Sequence, residues 1–239
     1  RIFNWNAFHE PCTSRLGLCK TGSRSEKSGA TMKIKICGMK EAQNIQEVAK
    51  LNPDLMGFIF YEKSARYVDA KILADAVQTL PSSISKVGVF VDEELEKVLD
   101  LCNSFGLKYA QLHGKETSEY CAKIKAGGIS VIKVFHMDKT FDLSQVEAYE
   151  NYSEVFLFDT KTKGYGGSGK HFDWSLLNQY TLDTPFLLSG GISTEDLTTI
   201  KALNIPKLMG IDVNSRVEIS PGNKDVNKVK ELILKTREG

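Results

Sequence analysis

Proline, tryptophan and long apolar runs are scarce in this 239-residue chain. It has six prolines and two tryptophans. No stretch approaches the ~18 consecutive apolar residues that a membrane helix needs, so a helical membrane protein is excluded. Cysteine is sparse and unpatterned. Cys12, Cys19, Cys37, Cys102 and Cys121 form no CxxC pair and no Cys/His cluster, which argues against structural zinc and against a disulfide framework. A reducing cytoplasm is the expected compartment. Net charge is also nearly absent, +1 overall. Residues 1–31 hold five Lys and Arg against two Glu, a net +3; the remainder carries 26 basic against 28 acidic residues, a net −2. Without a basic stripe, nucleic acid is not expected as a partner.

What the chain does have is enough apolar content for one large core: 41% hydrophobic and 26% charged residues. A chain of this length buries roughly 70% of its unfolded surface on folding. The first 31 residues stand apart. They show no sustained periodicity, and their second half is rich in Ser, Gly, Lys and Arg, as in a disordered tail. We expect residues 1–31 to be a disordered or non-native extension, upstream of a natural start at Met32, and residues 32–239 to be one domain.

From Met32 onward, short β-rich runs alternate with helical stretches. The expected strands are 33–37, 55–60, 86–91, 109–113, 130–136, 154–159, 186–190 and 208–213. Amphipathic segments lie between them, with apolar spacings such as Leu95, Val98, Leu99 and Cys102 that fit a 3.6-residue period. Strict alternation over eight units predicts a single (β/α)₈ TIM barrel. A doubly wound open sheet is the alternative, but the sequence KICGMK after the first strand lacks the GxGxxG such a fold would carry.

Function in a barrel of this kind sits where the strands end. The first strand ends on Cys37 and Gly38. A lone Cys there is ordinarily a small buried hydrophobe; at an electropositive, partly exposed rim its pKa is lowered and it can act as a base. Arg66, in the loop after the second strand, is either a solvated charge or a bidentate reader of a carboxylate. His113 ends the fourth strand as a hydrogen-bonding group or a substrate contact. Asp159 ends the sixth, as a loop cap or as a general acid whose pKa desolvation would raise. A glycine-rich loop, Gly167-Ser168-Gly169, follows. The seventh strand ends in Ser189-Gly190-Gly191, before a helix starting at Ser193 or Thr194. The eighth ends in Asp212, Asn214 and Ser215, before a short helix. Small-residue turns after strands seven and eight are where this fold binds phosphate, so a phosphorylated small molecule is the expected ligand.

In order, KICGMK, GFIFYEKSARYV, VGVFV, QLHG, FLFDT with GGSGKHFDW, LLSGGI and GIDVNSRVEISPGNKD resemble the successive signatures of the phosphoribosylanthranilate isomerases. The resemblance runs from Met32 to the C-terminus. It departs where Ser64-Ala65-Arg66 replaces Ser-Pro-Arg, where GGSG replaces GGTG, and where Arg216 replaces Gly or Ala.

The resemblance implies a cytoplasmic enzyme of tryptophan biosynthesis that performs an Amadori rearrangement with no metal, nucleotide or flavin. It implies Cys37 as general base and Asp159 as general acid, with Arg66 at the substrate carboxylate. It further implies phosphate held by Ser189–Gly191 and Asn214–Ser215, substrate contact by Gly167, Ser168 and Gly169, Asp212 near the sugar hydroxyls, and His113 as a further contact. A monomer is expected, a homodimer being the alternative. Two related barrels fit less well. A histidine-pathway isomerase should end its first strand in Asp, and an indole-glycerol-phosphate synthase needs a lysine at that strand end, whereas Lys33 and Lys35 come too early. A non-catalytic phosphate-binding barrel would need neither Cys37 nor Asp159.

Overall fold

The structure is a computed structural model; it describes residues 31–160 and 171–238, with the backbone alone at 70–73. The expected tail up to Ala30 and the expected substrate loop at Gly167, Ser168 and Gly169 lie outside the described residues.

Eight parallel strands close on themselves in sequence order. They are β1 (Lys33–Ile36), β2 (Leu55–Ile59), β3 (Ser85–Phe90), β4 (Tyr109–Leu112), β5 (Ser130–Met137), β6 (Val155–Thr160), β7 (Phe186–Leu188) and β8 (Leu208–Val213). The pairing of β1 with β8 completes the barrel, aligning Lys35 with Asp212. Because side chains alternate across a strand, every second residue faces the barrel axis. Leu55, Val87, Ile132, Val134, Leu157 and Leu187 form the dry plug there. The opposite set, including Ile34, Ile36, Phe58, Phe156 and Phe158, packs outward under the helices in a second, larger core.

The return segments explain themselves locally. The helix α1 spans Ala42–Ala49 and α2 spans Ala70–Gln78. In α3 (Leu95–Phe105), Val98, Cys102 and Phe105 form the buried stripe, and Gly106 at φ 57° ends the helix. Thr117 caps α4 (Ser118–Ala126) by accepting from the Tyr120 N–H. A capping box between Ser193 and Asp196 starts the turn that runs into α5 (Leu197–Ala202). Asp225 caps α6 (Val226–Arg237).

Two expected helices are instead 3₁₀, at Leu143–Tyr152 and Trp174–Gln179. The first of these, ten residues long, follows β5, the longest strand. Beyond β8, the sequence reading missed a hairpin, β9 (Glu218–Ser220) and β10 (Asn223–Lys224), turned by Pro221-Gly222.

One buried ion pair ties the loops of the β3–β5 sector to the sheet. Lys133 Nζ lies 2.9 Å from Glu116 Oε2, with both side chains almost wholly buried. The same ammonium donates to the carbonyls of Leu112 and Gly114, and the Glu116 carboxylate accepts from the N–H groups of Asp92 and Gly114. Residue 113 sits inside this clamp. Lys133→Met leaves Glu116 as a buried, uncompensated charge and is expected to cost about 3–5 kcal/mol in urea unfolding. The double variant Lys133→Met/Glu116→Leu should recover part of that loss. If Lys133→Met costs less than about 1 kcal/mol, the pair does not anchor the loops.

Candidate active site

The inward positions at the C-terminal strand ends converge on one mouth. Cys37 follows β1, His113 follows β4, His136 and Asp159 close β5 and β6, Ser189 follows β7, and Asp212 closes β8. Because β1 and β6 stand three strands apart around the closed ring, Cys37 and Asp159 approach the opening from nearly opposite walls.

On the Cys37 side the dominant group is one the sequence reading set aside. Lys35, one layer below, is completely buried. Its ammonium lies 2.7 Å from Asp212 Oδ1, and Asp212 accepts a second hydrogen bond from the Ser189 hydroxyl at 3.2 Å. Lys35 also lies beside the Cys37 thiol, near enough for its charge to act on it. Both groups lie over Gly57. A Cβ on that residue would stand 2.9 Å from Cys37 Sγ and 3.1 Å from Lys35 Nζ, so only glycine leaves room for the pair.

This geometry corrects one expectation. Cys37 is not partly exposed but buried, at 4% of its full accessibility. Burial pushes its thiol above the ordinary value, and the Asp212 carboxylate adds to the rise. The Lys35 ammonium offsets only part of it, with a smaller contribution from Lys224. Burial alone would lower Lys35, yet Asp212 and Cys37 outweigh it and raise its pKa, so it remains a fixed cation.

Arg66 is anchored. Its Nε and Nη2 donate to the two oxygens of Glu218 at 2.8 and 2.6 Å, a bidentate fork. Glu218 also receives Lys224 Nζ at 2.7 Å, and that ammonium donates to Asn214 Oδ1 at 2.7 Å. Burial alone would raise Glu218, but Arg66 and Lys224 hold it below the usual carboxylate range. Lys224, wholly buried, has its pKa lowered by that burial despite Glu218. The missed hairpin builds this network by pairing Glu218 with Lys224 across β9 and β10. The Pro-Gly turn was its sequence signal. Two of Arg66's five N–H groups face Glu218, leaving three for another acceptor.

In the phosphate-expected loops, Gly190 and Gly191 both have positive φ, 102° and 75°. A Cβ on Gly190 would collide with Thr160. The Gly190 carbonyl accepts from His171 Nδ1 at 2.8 Å, and the Gly191 carbonyl from Arg216 Nε at 3.2 Å. The carbonyls of this turn are thus held from outside the barrel. The Ser189 hydroxyl is committed to Asp212, and Asn214 to Lys224. Ser215 opens a 3₁₀ turn, Ser215–Val217.

On the opposite wall, His113 Nε2 lies 3.5 Å from Asp159 Oδ2. His113 Nδ1 faces Gln111 Nε2 at 3.2 Å. His136, which the sequence reading did not single out, packs against His113 at 5.0 Å between ring centres, the rings tilted by 55°. Burial, and then the neighbouring His113, hold His136 below the ordinary imidazole range, so it is neutral at neutral pH.

Known proteins resemble this chain over most of its length. Residues 34–235 match the family of N-(5′-phosphoribosyl)anthranilate isomerases. A relative of that name from Parabacteroides distasonis is 46% identical over 203 residues, covering 84% of this chain and 92% of its own. The crystal structure of phosphoribosyl anthranilate isomerase from Thermotoga maritima superposes with a TM-score of 0.77 at 38% identity, covering 86% of this chain and 98% of that one. A second structure, of phosphoribosyl anthranilate isomerase in complex with reduced 1-(o-carboxyphenylamino)-1-deoxyribulose 5-phosphate, has a TM-score of 0.74 at 34% identity, covering 86% of this chain and 98% of that one.

The Lys35–Cys37 contact generates a prediction. The rate of Cys37 alkylation by iodoacetamide, followed by peptide mass mapping, should rise with pH only above the range of a free thiol. Lys35→Met should move that rise further up, because the one large favourable charge is gone. Cys102 and Cys121, pushed up to about 12 and about 11 by burial, give little background. A folded Lys35→Met protein with an unchanged profile would remove Lys35 from the thiol's control.

Proposed function

The chain belongs to the N-(5′-phosphoribosyl)anthranilate isomerase family, and on that premise we propose that Cys37 and Asp159 divide its reaction as base and acid. The reaction is the Amadori rearrangement of N-(5-phosphoribosyl)anthranilate to 1-(2-carboxyphenylamino)-1-deoxyribulose 5-phosphate, a step of L-tryptophan biosynthesis.

Asp159 gives its proton to the furanose ring oxygen as the C1′–O bond opens, leaving a Schiff base to the anthranilate nitrogen. The Cys37 thiolate takes the C2′ proton, and the resulting enolamine tautomerises to the ketone. The observation that carries this reading is the placement of the two groups on β1 and β6, on facing walls of one mouth. An acid and a base on opposite sides of the sugar are what the two proton transfers require.

Lys35 gives the reading its electrostatics. Forming a thiolate in a buried site is costly, and a fixed ammonium beside it lowers that cost. Asp212 holds Lys35 in place and is itself held by Ser189. We assign the remaining N–H groups of Arg66 to the substrate carboxylate, with Glu218 fixing the guanidinium plane. The turns at Gly190–Gly191 and Asn214–Ser215 are assigned to the phosphate, and the loop at Gly167–Gly169 to the substrate. His113 is assigned to Asp159, where it steadies the carboxyl. The chemistry lies wholly in these side chains, and no cofactor enters the scheme. We place the activity in the barrel, residues 32–239, and in the cytoplasm. Among the described residues no helix is long and apolar enough to cross a membrane, and Cys37, Cys102 and Cys121 are all free thiols.

Cys37→Ala and Asp159→Ala should each lower kcat by about 10²-fold or more with KM little changed, since each acts chiefly in the transition state. Fluorescence-monitored turnover of enzymatically generated substrate measures this. Near-full kcat in Cys37→Ala at neutral pH would transfer the base role to another rim residue, His113 first.

Arg66→Ala should weaken substrate binding by about 1.5–3 kcal/mol, the loss of a hydrogen bond to a charged group. Arg66→Lys should restore only part, because an ammonium lacks the planar fork. Unchanged KM in a folded Arg66→Ala protein would leave the arginine with Glu218 as its sole partner.

A further inference from the structure

We propose that His113, His136 and Asp159 form a transition-metal site at the barrel mouth, one that takes a zinc-like divalent ion in competition with substrate. Three adjacent strands supply one ligand each. His136 on β5 is the register partner of Asp159 on β6, and His113 follows β4, the strand on the other side of β5. Inward parity aims all three at the same space. One ligand atom from each lies within 4.8 Å of the other two, and among the described residues no other three His, Cys, Asp or Glu side chains meet this way.

The donor set selects the ion. Two imidazoles and one carboxylate suit zinc, cobalt and nickel; magnesium and calcium want a shell of oxygens. The His113 Nε2–Asp159 Oδ2 separation of 3.5 Å is close to the edge of a zinc tetrahedron, about 3.4 Å for bonds of about 2.1 Å. His136 closes the remainder with a shift on the order of 1 Å, well within rotamer adjustment.

The supporting shell is also in place. A ligating histidine needs its other ring nitrogen held by a partner. His136 Nε2 lies 3.3 Å from the His113 carbonyl oxygen, which fixes the ring. His113 Nδ1 faces Gln111, whose side chain is 1% exposed and whose Oε1 has no hydrogen-bond partner. Turning that amide over lets Oε1 accept from His113 Nδ1–H and leaves the Nε2 lone pair directed at the ion. The side chains of His113 and Asp159 are 21% and 22% exposed, so an ion enters from the mouth and keeps water on its open positions.

Competition with substrate rests on the reading of Asp159 as the acid: a carboxylate bound to a metal cannot carry the proton. Direct binding does not rest on it, so the two are tested apart. EDTA-treated enzyme is titrated with Co²⁺ and followed by visible absorption, then by turnover with added Zn²⁺. The expected result is a d–d band at one ion per chain, displaced by Zn²⁺. Zn²⁺ should also inhibit competitively with substrate, reversibly by EDTA. His136→Phe should lose the band and, measured against that variant's own metal-free turnover, raise the inhibitory Zn²⁺ concentration by about tenfold or more. His136→Gln is the companion variant should Phe unfold the protein. Cys37→Ser should retain the band. No band in the wild type, a band indifferent to both His136 variants, or a band lost in Cys37→Ser overturns the site. A His136-dependent band with no inhibition keeps the site and refutes Asp159 as the acid.

Discussion

The active side of this barrel depends on one buried charge, the ammonium of Lys35. A lone cation at zero exposure would be severely unfavourable. It persists because Asp212 accepts it at 2.7 Å, because Ser189 satisfies the other carboxylate oxygen, and because Gly57 leaves the space in which it meets Cys37. Three strands, β1, β2 and β8, are therefore linked at one height by the same group. Such a pair adds little net stability over an apolar filling, but breaking one side of it is expensive. The arrangement trades stability for a fixed positive charge beneath a thiol.

A second ionic cluster repeats this logic at the rim. Arg66, Glu218, Lys224 and Asn214 form a chain in which two cations share one carboxylate. It joins the loop after β2 to the hairpin after β8, so the arginine's plane is set before any ligand arrives. Preorganised donors of this kind need little reorganisation when substrate binds. The Lys133–Glu116 clamp plays the same part on the far side, beneath His113.

Much of this was legible in the sequence, and the exceptions have physical reasons. All eight strands were readable because β-branched and aromatic runs alternate with helical periodicity, and strand ends were correct to within two residues. Cys37, His113 and Asp159 were legible because parity puts strand-terminal residues at the mouth. Lys35 was discounted for standing two residues early; a lysine side chain is long enough to climb one layer, which residue counting ignores. The raised Cys37 thiol was missed because burial is a tertiary property. Glu218 and Lys224 were missed because a hairpin of three and two residues leaves almost no periodicity to detect. The two 3₁₀ returns look helical in sequence, since a period of about 3.0 and one of about 3.6 residues are hardly separable over so short a segment.

The burial of Cys37 has a further consequence, in redox chemistry. Peroxide attacks thiolates, and it attacks those it can reach. A thiol at 4% exposure whose pKa is pushed up offers neither. The same burial that raises Cys37 protects it from becoming a sulfenic acid. A sulfur atom can then sit at the mouth of a barrel without first needing to be kept reduced.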